Sequence, residues 1–448
     1  MGGEWQTVRL KDVANEITVG HVGSMASEYV EAGVPFLRSL NIEPFRINEN
    51  DLRFITLEFH MKLRKSALRP GDVVIVRTGK PGATALVPPW LKEANCSDLV
   101  IVRPGKELNN RFFVYFMNSV AKRHVAAHIV GAVQQHFNVG SSRDLIINLP
   151  PIHEQQAIAC ILGAFDDKIE LNRRMNRTME DMARAIFKSW FVDFDPVRAK
   201  AAGQQPPLPA PQSGAARQAG GLKPEIADLF PDSFEDSELG EIPKGWSVQS
   251  FADRIDIIGG GTPKTSVPEY WGGETPWYSV VDSPPPGEVF VISTEKTITQ
   301  AGVDNSSTRI LPKGATIISA RGTVGNIALV GTPMAMNQSC YGLKDRRGKD
   351  GYFLFFATAE VVDTLRQRAH GSVFNTITRD TLKGVRVVAP PDIFVTTFEY
   401  VVGAMMQRIL SAVHESRSLA TLRDTLLPKL ISGELRVPDA ERIAGRCL

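Results

Sequence analysis

The sequence predicts an α+β fold built twice. Two similar globular parts, each a small twisted β-sheet with helices, are separated by two long helices packed as an antiparallel coiled coil with pseudo-two-fold character. Three observations carry this. In the stretch Pro150–Pro196, Ile158, Leu162, Phe165, Ile169, Asn172, Asn176, Met179, Ala183, Ile186 and Trp190 fall at alternating steps of four and three. That spacing is a coiled-coil seam, and about forty residues at 1.5 Å each make a rod of roughly 55–60 Å, too long for an ordinary globular helix. Sliding the chain by 240 residues lays Pro390–Leu430 over this rod without a gap, with Phe398, Val402, Met405, Ile409, Ala412, Ser416, Leu419, Leu426 and Leu430 in the same seam and Arg423 alone breaking it. Upstream, Phe112, Phe113 and Phe116 lie over Tyr352, Phe353 and Phe356, Pro150-Pro151 over Pro390-Pro391, and Gly79 and Gly82 over Gly322 and Gly325. The chain is a tandem duplication.

In order, residues 1–149 form the first globular part. Its β-rich runs, such as Asp72–Val76 and Leu99–Val102, are punctuated by Gly, Pro and Asn, with an amphipathic helix near residues 110–127. Residues 150–197 are the first long helix, opened by two prolines and closed by Asp195-Pro196. Residues 198–244 are a flexible linker and re-entry segment: Ala199–Gly221 is rich in Ala, Gln, Pro and Gly with almost no large apolar side chains and cannot bury a core, and the acidic stretch Pro231–Glu241 leads back in. Residues 245–389 rebuild the globular part, residues 390–435 are the second long helix, ending near Gly433, and residues 436–448 form a tail without order.

With 43% hydrophobic and 22% charged residues the composition is that of a soluble globular protein, and a net charge of +2 requires any basic surface to be local. Cys96, Cys160, Cys340 and Cys447 are far apart and read as reduced thiols. No signal peptide and no apolar run approaching a membrane span are read, so a cytoplasmic location is expected. A catalytic site is not expected either. His153-Glu154 lacks the second histidine of a zinc-protease helix, Ala157 standing in its place, and the glycine clusters match neither a Walker A loop nor a dinucleotide fingerprint. Asp166-Asp167-Lys168 lies on the rod and reads as solvated flank charge, and no Asn-Pro-Pro-aromatic sequence for amino-methyl transfer occurs.

Two unlike heads on a paired helical spacer suit two half-sites about one DNA turn apart. The chain also resembles the specificity subunit of type I restriction-modification systems, over almost all its length. The resemblance lies in Leu149-Pro150-Pro151-Ile152-His153-Glu154-Gln155-Gln156, Ile258-Gly259-Gly260-Gly261-Thr262-Pro263-Lys264, Tyr270-Trp271-Gly272 and Pro276-Trp277. It continues in Leu229-Phe230-Pro231-Asp232-Ser233-Phe234, Leu239–Trp246 and Leu430-Ile431-Ser432-Gly433-Glu434-Leu435. The resemblance implies target recognition domains that each read half of a bipartite, asymmetric double-stranded DNA site, and helices that set the gap and dock two modification subunits. Restriction or translocase subunits could join. S-adenosylmethionine, ATP and Mg would then belong to those partners, with no cofactor or metal in this chain. The competing reading is a non-catalytic coiled-coil scaffold that assembles proteins without reading DNA.

DNA binding needs cations for phosphates and amide, hydroxyl or guanidinium groups for base edges. Lys62, Arg64, Arg77 and Lys80 fall in a local basic patch; Gln134, Gln135 and Asn138 precede the first rod, and Asn375, Thr376 and Arg379 lie near the corresponding place in the second half. Thr262, Lys264 and Arg321 adjoin glycine turns. Asn172 and Asn176 in the seam would fix register. Phe187, Trp190, Phe191 and Phe194 exceed what a two-helix seam needs and are expected to anchor another subunit.

Overall fold

The computed structural model describes residues 5–119, 137–207, 222–285, 288–348, 351–370 and 376–444. The chain divides into two compact units, one made of Met1–Glu170 with Arg417–Leu448, the other of Leu171–Ser416. Both long helices pass from one unit to the other: Ile152–Phe191 and Asp392–Ile431, each of 40 residues.

In the first unit, strand Gln6–Arg9 pairs antiparallel with Ile146–Leu149. The main sheet has the order Ala14–Val19, Leu99–Pro104, Val73–Val76, Thr84–Leu86. Its two central strands are Val- and Ile-rich and buried on both faces, because one face meets the loops and short strands around Leu37 and Leu91 and the other meets helices. Those helices are Asn110–Asn118, through Phe112, Phe113 and Phe116, the first long helix through Ile158, Leu162 and Phe165, and the second through Leu419, Leu426 and Leu430. Gln155 fastens the corner: its carbonyl oxygen accepts from Asn109 N at 2.8 Å while its amide donates to Glu107 O and Pro150 O. The core of this unit is therefore closed by residues from both ends of the chain.

In the second unit, Ser247–Ser250 pairs with Arg386–Ala389 as in the first. The sheet runs Ile255–Gly259, Cys340–Asp345, Thr316–Ser319, Ile327–Val330, with Phe290–Val291 as a parallel edge. Helix Tyr352–His370 lies on it, its first amides accepted by the buried Glu399 carboxylate, Phe353 N at 2.9 Å. Here the long helices run antiparallel. Trp190 stacks edge-on to Phe398 at 6.2 Å, whereas Asn172, eighteen residues earlier, donates to Ser416 Oγ at 3.2 Å and Ala412 O at 3.5 Å. Ala412 is the residue 240 positions after Asn172, so the two copies of one position meet.

Several elements differ from expectation. The first long helix stops at Phe191; Phe194 takes a left-handed φ of 55°, and Asp195-Pro196 opens a new helix, Asp195–Ala201, instead of closing the old one. Proline costs least in a first turn, whichever helix that turn begins. Residues 222–244 are ordered: Leu222, Ala227, Phe230 and Ile242 are buried in the second unit, and Phe234–Ser237 pairs with Gly240–Pro243. The tail holds a helix, Val437–Ala444, with Ala440 buried in the first unit's core. Neither segment can bury a core alone, but each covers one made elsewhere. Helix Asp392–Ile431 is by length and composition long and apolar enough to cross a membrane, contrary to the sequence reading, and 44% of its most apolar stretch is buried inside the protein.

The seam break at Arg423 is resolved by a partner. Its guanidinium binds Asp166 at 2.5 Å and lies 4.2 Å from the Phe45 ring centre, and the Tyr115 hydroxyl donates to the same carboxylate. Burial, then the carboxylate, push the Tyr115 phenol well above its usual pKa. Asp166 is thus a half-buried partner rather than a solvated flank charge, and Asp167 pairs with Arg111. The equivalent positions in the second unit are the buried Met406 and Ala183. Arg423→Ala leaves the half-buried Asp166 with the Tyr115 hydroxyl and is expected to cost about 1–3 kcal/mol. Asp166→Met with Arg423→Ala, which installs the second unit's residues, should recover most of that loss in urea denaturation.

Candidate nucleic-acid interface

One backbone arrangement occurs in both units at the ends of the sheet strands. In the first, the turn between Val73–Val76 and Thr84–Leu86 is closed by Gly82 N donating to Val76 O, with Gly79 and Gly82 at φ near 90°. Phe137 N donates to Arg77 O at 3.1 Å, bringing the start of helix Val139–Arg143 beside this turn. The strand end at Gly20 passes so close to Cys96 that a Cβ would stand 2.8 Å from its sulfur. The second unit repeats each contact: Gly325 N to Ser319 O, Ile377 N to Ala320 O at 3.0 Å, and Gly260, where a Cβ would run into Asn337 O. Only glycine allows either close approach.

The side chains on this shared backbone differ. In the first unit Arg77 is largely buried and paired with Asp98 at 3.1 Å, Asp98 holding a φ of 53°. Lys80 is exposed at the turn. In the second unit Arg321 and Lys264 are exposed, and the Thr262 hydroxyl donates to the Gln338 side-chain oxygen. Arg379 reaches back to Ile257 O at 3.2 Å, and Thr376 precedes the buried Ile377. Among the expected site residues, Arg77, Lys80 and Asn138 therefore gather in one unit, and Thr262, Lys264, Arg321, Thr376 and Arg379 in the other. Lys62 and Arg64 belong to a separate stretch, helix Leu57–Lys62 and turn Arg64–Ser66, where Lys62 is paired with Glu58 at 2.7 Å. Gln134, Gln135 and Asn375 lie outside the described residues.

Two expectations need correction. Asn138 is a helix cap: its side chain accepts from Ser141 N at 2.9 Å, as Thr378 accepts from Thr381 N in the second unit. Its oxygen is occupied by the backbone, which a cap position favours. The aromatic group is interior, not a subunit anchor. Phe187, Trp190, Phe191 and Phe194 are each less than a tenth exposed, and Phe187 meets Phe353, Phe356 and Phe398 at 5.4–5.9 Å. Trp190 packs on Phe230, and Phe191 and Phe194 on Trp246. The surplus over a two-helix seam is taken up by the unit's own body. The basic and polar pattern of the sequence does not single out Gln338 or Asp98, although sliding Cys96-Ser97-Asp98-Leu99 onto Asn337-Gln338-Ser339-Cys340 marks the equivalent loops that carry them.

The two buried thiols are chemically quiet. Burial pushes Cys340 up to about 12 and Cys96 higher still, so neither is a thiolate at neutral pH. Among the described residues no group of three His, Cys, Asp or Glu side chains is placed to hold a metal ion.

A twice-built unit with strand-end loops of differing chemistry defines a protein that carries two unlike sets of side chains on one repeated framework. Residues 2–180 and 243–392 match the type I restriction modification DNA specificity domain, and the chain belongs to that family. It is 30% identical over 325 residues to the type I restriction enzyme HindI specificity subunit of Haemophilus influenzae, covering 66% of this chain and 70% of that protein. With the MjaIX specificity subunit of Methanocaldococcus jannaschii it shares 31% over 159 residues, 35% of this chain and 37% of the other. The crystal structure of a type I restriction-modification S subunit from M. genitalium has the same fold, at a TM-score of 0.54 and 14% identity, over 95% of this chain and 96% of that one. Its role is DNA sequence specificity, and the protein-only scaffold is set aside. Because Trp190 is interior, Trp190→Ala is expected to cost about 3–5 kcal/mol of stability, read as a lowered denaturation midpoint of the full chain without partners.

Proposed function

We propose that this chain reads a split, asymmetric sequence in double-stranded DNA, each unit recognising one half-site, and delivers modification subunits to it. The observation that carries this reading is the repetition of one strand-end arrangement in two units with unlike side chains: a carboxylate-paired arginine with Lys80 in the first, and a threonine-held glutamine with Arg321 and Lys264 in the second. Identical backbones approach the duplex alike, and unlike side chains make the two half-sites different.

The chain carries no catalysis in this reading. Methyl transfer from S-adenosylmethionine, and ATP- and Mg-dependent restriction where a restriction subunit joins, belong to the partners, and the complex works in the cytoplasm. The two recognition domains correspond to residues 1–149 and 245–389, and the long helices between them set the gap between half-sites. The outer face of the second long helix, where Ile393 and Tyr400 are exposed, offers apolar surface for a modification subunit.

Lys80, Arg321 and Lys264 would contact phosphates. Changing any one to Gln should weaken binding about equally for all sequences and flatten the plot of log affinity against log salt by about one unit. An unchanged slope places that side chain off the DNA. Inserting four residues, about one turn, into either long helix should widen the preferred gap by about one or two base pairs and leave both half-sites unaltered. A gap of unchanged length, read by selecting sequences from a random duplex library, would remove the helices as the measuring element.

A further inference from the structure

Resting on the sequence-reading role proposed above, we infer that Gln338 is a base-reading side chain of the second unit, positioned by Thr262. Gln338 is exposed in the loop between strands Ala335–Met336 and Cys340–Asp345. The backbone of that loop is pinned on every side. Asn337 N donates to Tyr278 O at 2.8 Å, Ser339 N to the Asn337 side chain at 3.0 Å, and Ala320 N and Arg321 N both to Ser339 O. Gly260 closes the remaining side, since any Cβ there would meet Asn337 O. A loop so held, with its amide side chain outside, pays little ordering entropy when it meets a ligand.

The amide is itself oriented. The Thr262 hydroxyl donates to its oxygen, which keeps a second lone pair, and the NH₂ group offers two donors. A glutamine amide in that state can pair with the N6 and N7 edge of adenine, accepting from the amino group and donating to the ring nitrogen. Arg321, whose backbone N–H donates to the carbonyl of Ser339 next to Gln338, and Lys264, two residues after Thr262, supply cations for the phosphates on either side. The first unit does something else at the same place. Ser97 occupies the equivalent of Gln338, and the neighbouring Asp98 holds Arg77. The amide is therefore present in one of two loops that match in backbone and differ in side chains, as an asymmetric site requires.

The test uses the full-length chain with its modification subunits and a random duplex library, sequenced after selection. The unchanged chain is expected to enrich one split sequence. Gln338→Ala should reduce discrimination at a single base pair of one half-site by about 5- to 150-fold, leaving the other half-site intact and the melting temperature unchanged. Gln338→Glu, which replaces the donor NH₂ with an acceptor, should shift preference at that base pair from adenine toward cytosine. Thr262→Val, which frees the amide without removing it, should blunt the same position less. If both glutamine variants select the original sequence, or lose affinity uniformly together with stability, the Thr262–Gln338 bond is only a staple and the inference is overturned. If the unchanged chain enriches no sequence, the reading role fails first, and Gln338 with it.

Discussion

The pairing of two forty-residue helices that stand 240 positions apart is the constraint on which the rest of this molecule depends. Each unit takes part of its core from both helices, and the first is assembled from two separate pieces of chain, Met1–Glu170 and Arg417–Leu448. The first unit needs Leu419, Leu426 and Leu430, more than 250 positions along the chain, to close its core with Phe165 and Leu162. The interaction that fits the helices to each other there is a half-buried Asp166–Arg423 pair; in the second unit Met406 and Ala183 stand at the same positions. Were either helix to pair with a second copy of itself, Asp166 would face an alanine or Arg423 a methionine. A half-buried charge without its partner costs about 1–3 kcal/mol, so the pair favours one unlike match over two like ones.

Equivalent jobs in the two units are done by different residues. The corner where the globular body meets the long helix is fastened in the first unit by Gln155 on Asn109 N and by the Trp5 indole on Glu154 at 3.2 Å. In the second, Val395 and Phe394 replace those two polar residues, Trp246 packs against Phe394 at 5.1 Å, and the helix amides are accepted by Glu399, one turn further along. One corner is held by hydrogen bonds, the other by aromatic packing and a carboxylate. Backbone geometry is kept where close approach demands it, at Gly20 and Gly260, while side chains have diverged around it. That division of labour lets one framework carry two specificities.

Much was open to reading in the amino acids alone. Seam spacing and the 240-residue offset specify two long helices of equal length, and a local periodicity needs no tertiary knowledge to be seen. The glycine pairs at 79 and 82 and at 322 and 325 mark turns because a positive φ excludes most other residues. What tertiary structure alone decided was which polar and aromatic groups were already spent. Asn138 looks like a free amide until Ser141 N is found on it, and Trp190 looks like an anchor until Phe230 and Phe398 cover it. Arg423 looks like a fault until Asp166, 257 positions away, supplies its charge. Burial and pairing are properties of neighbours brought together by folding, so composition and spacing along the chain can nominate a side chain but only its surroundings in space determine whether it remains available.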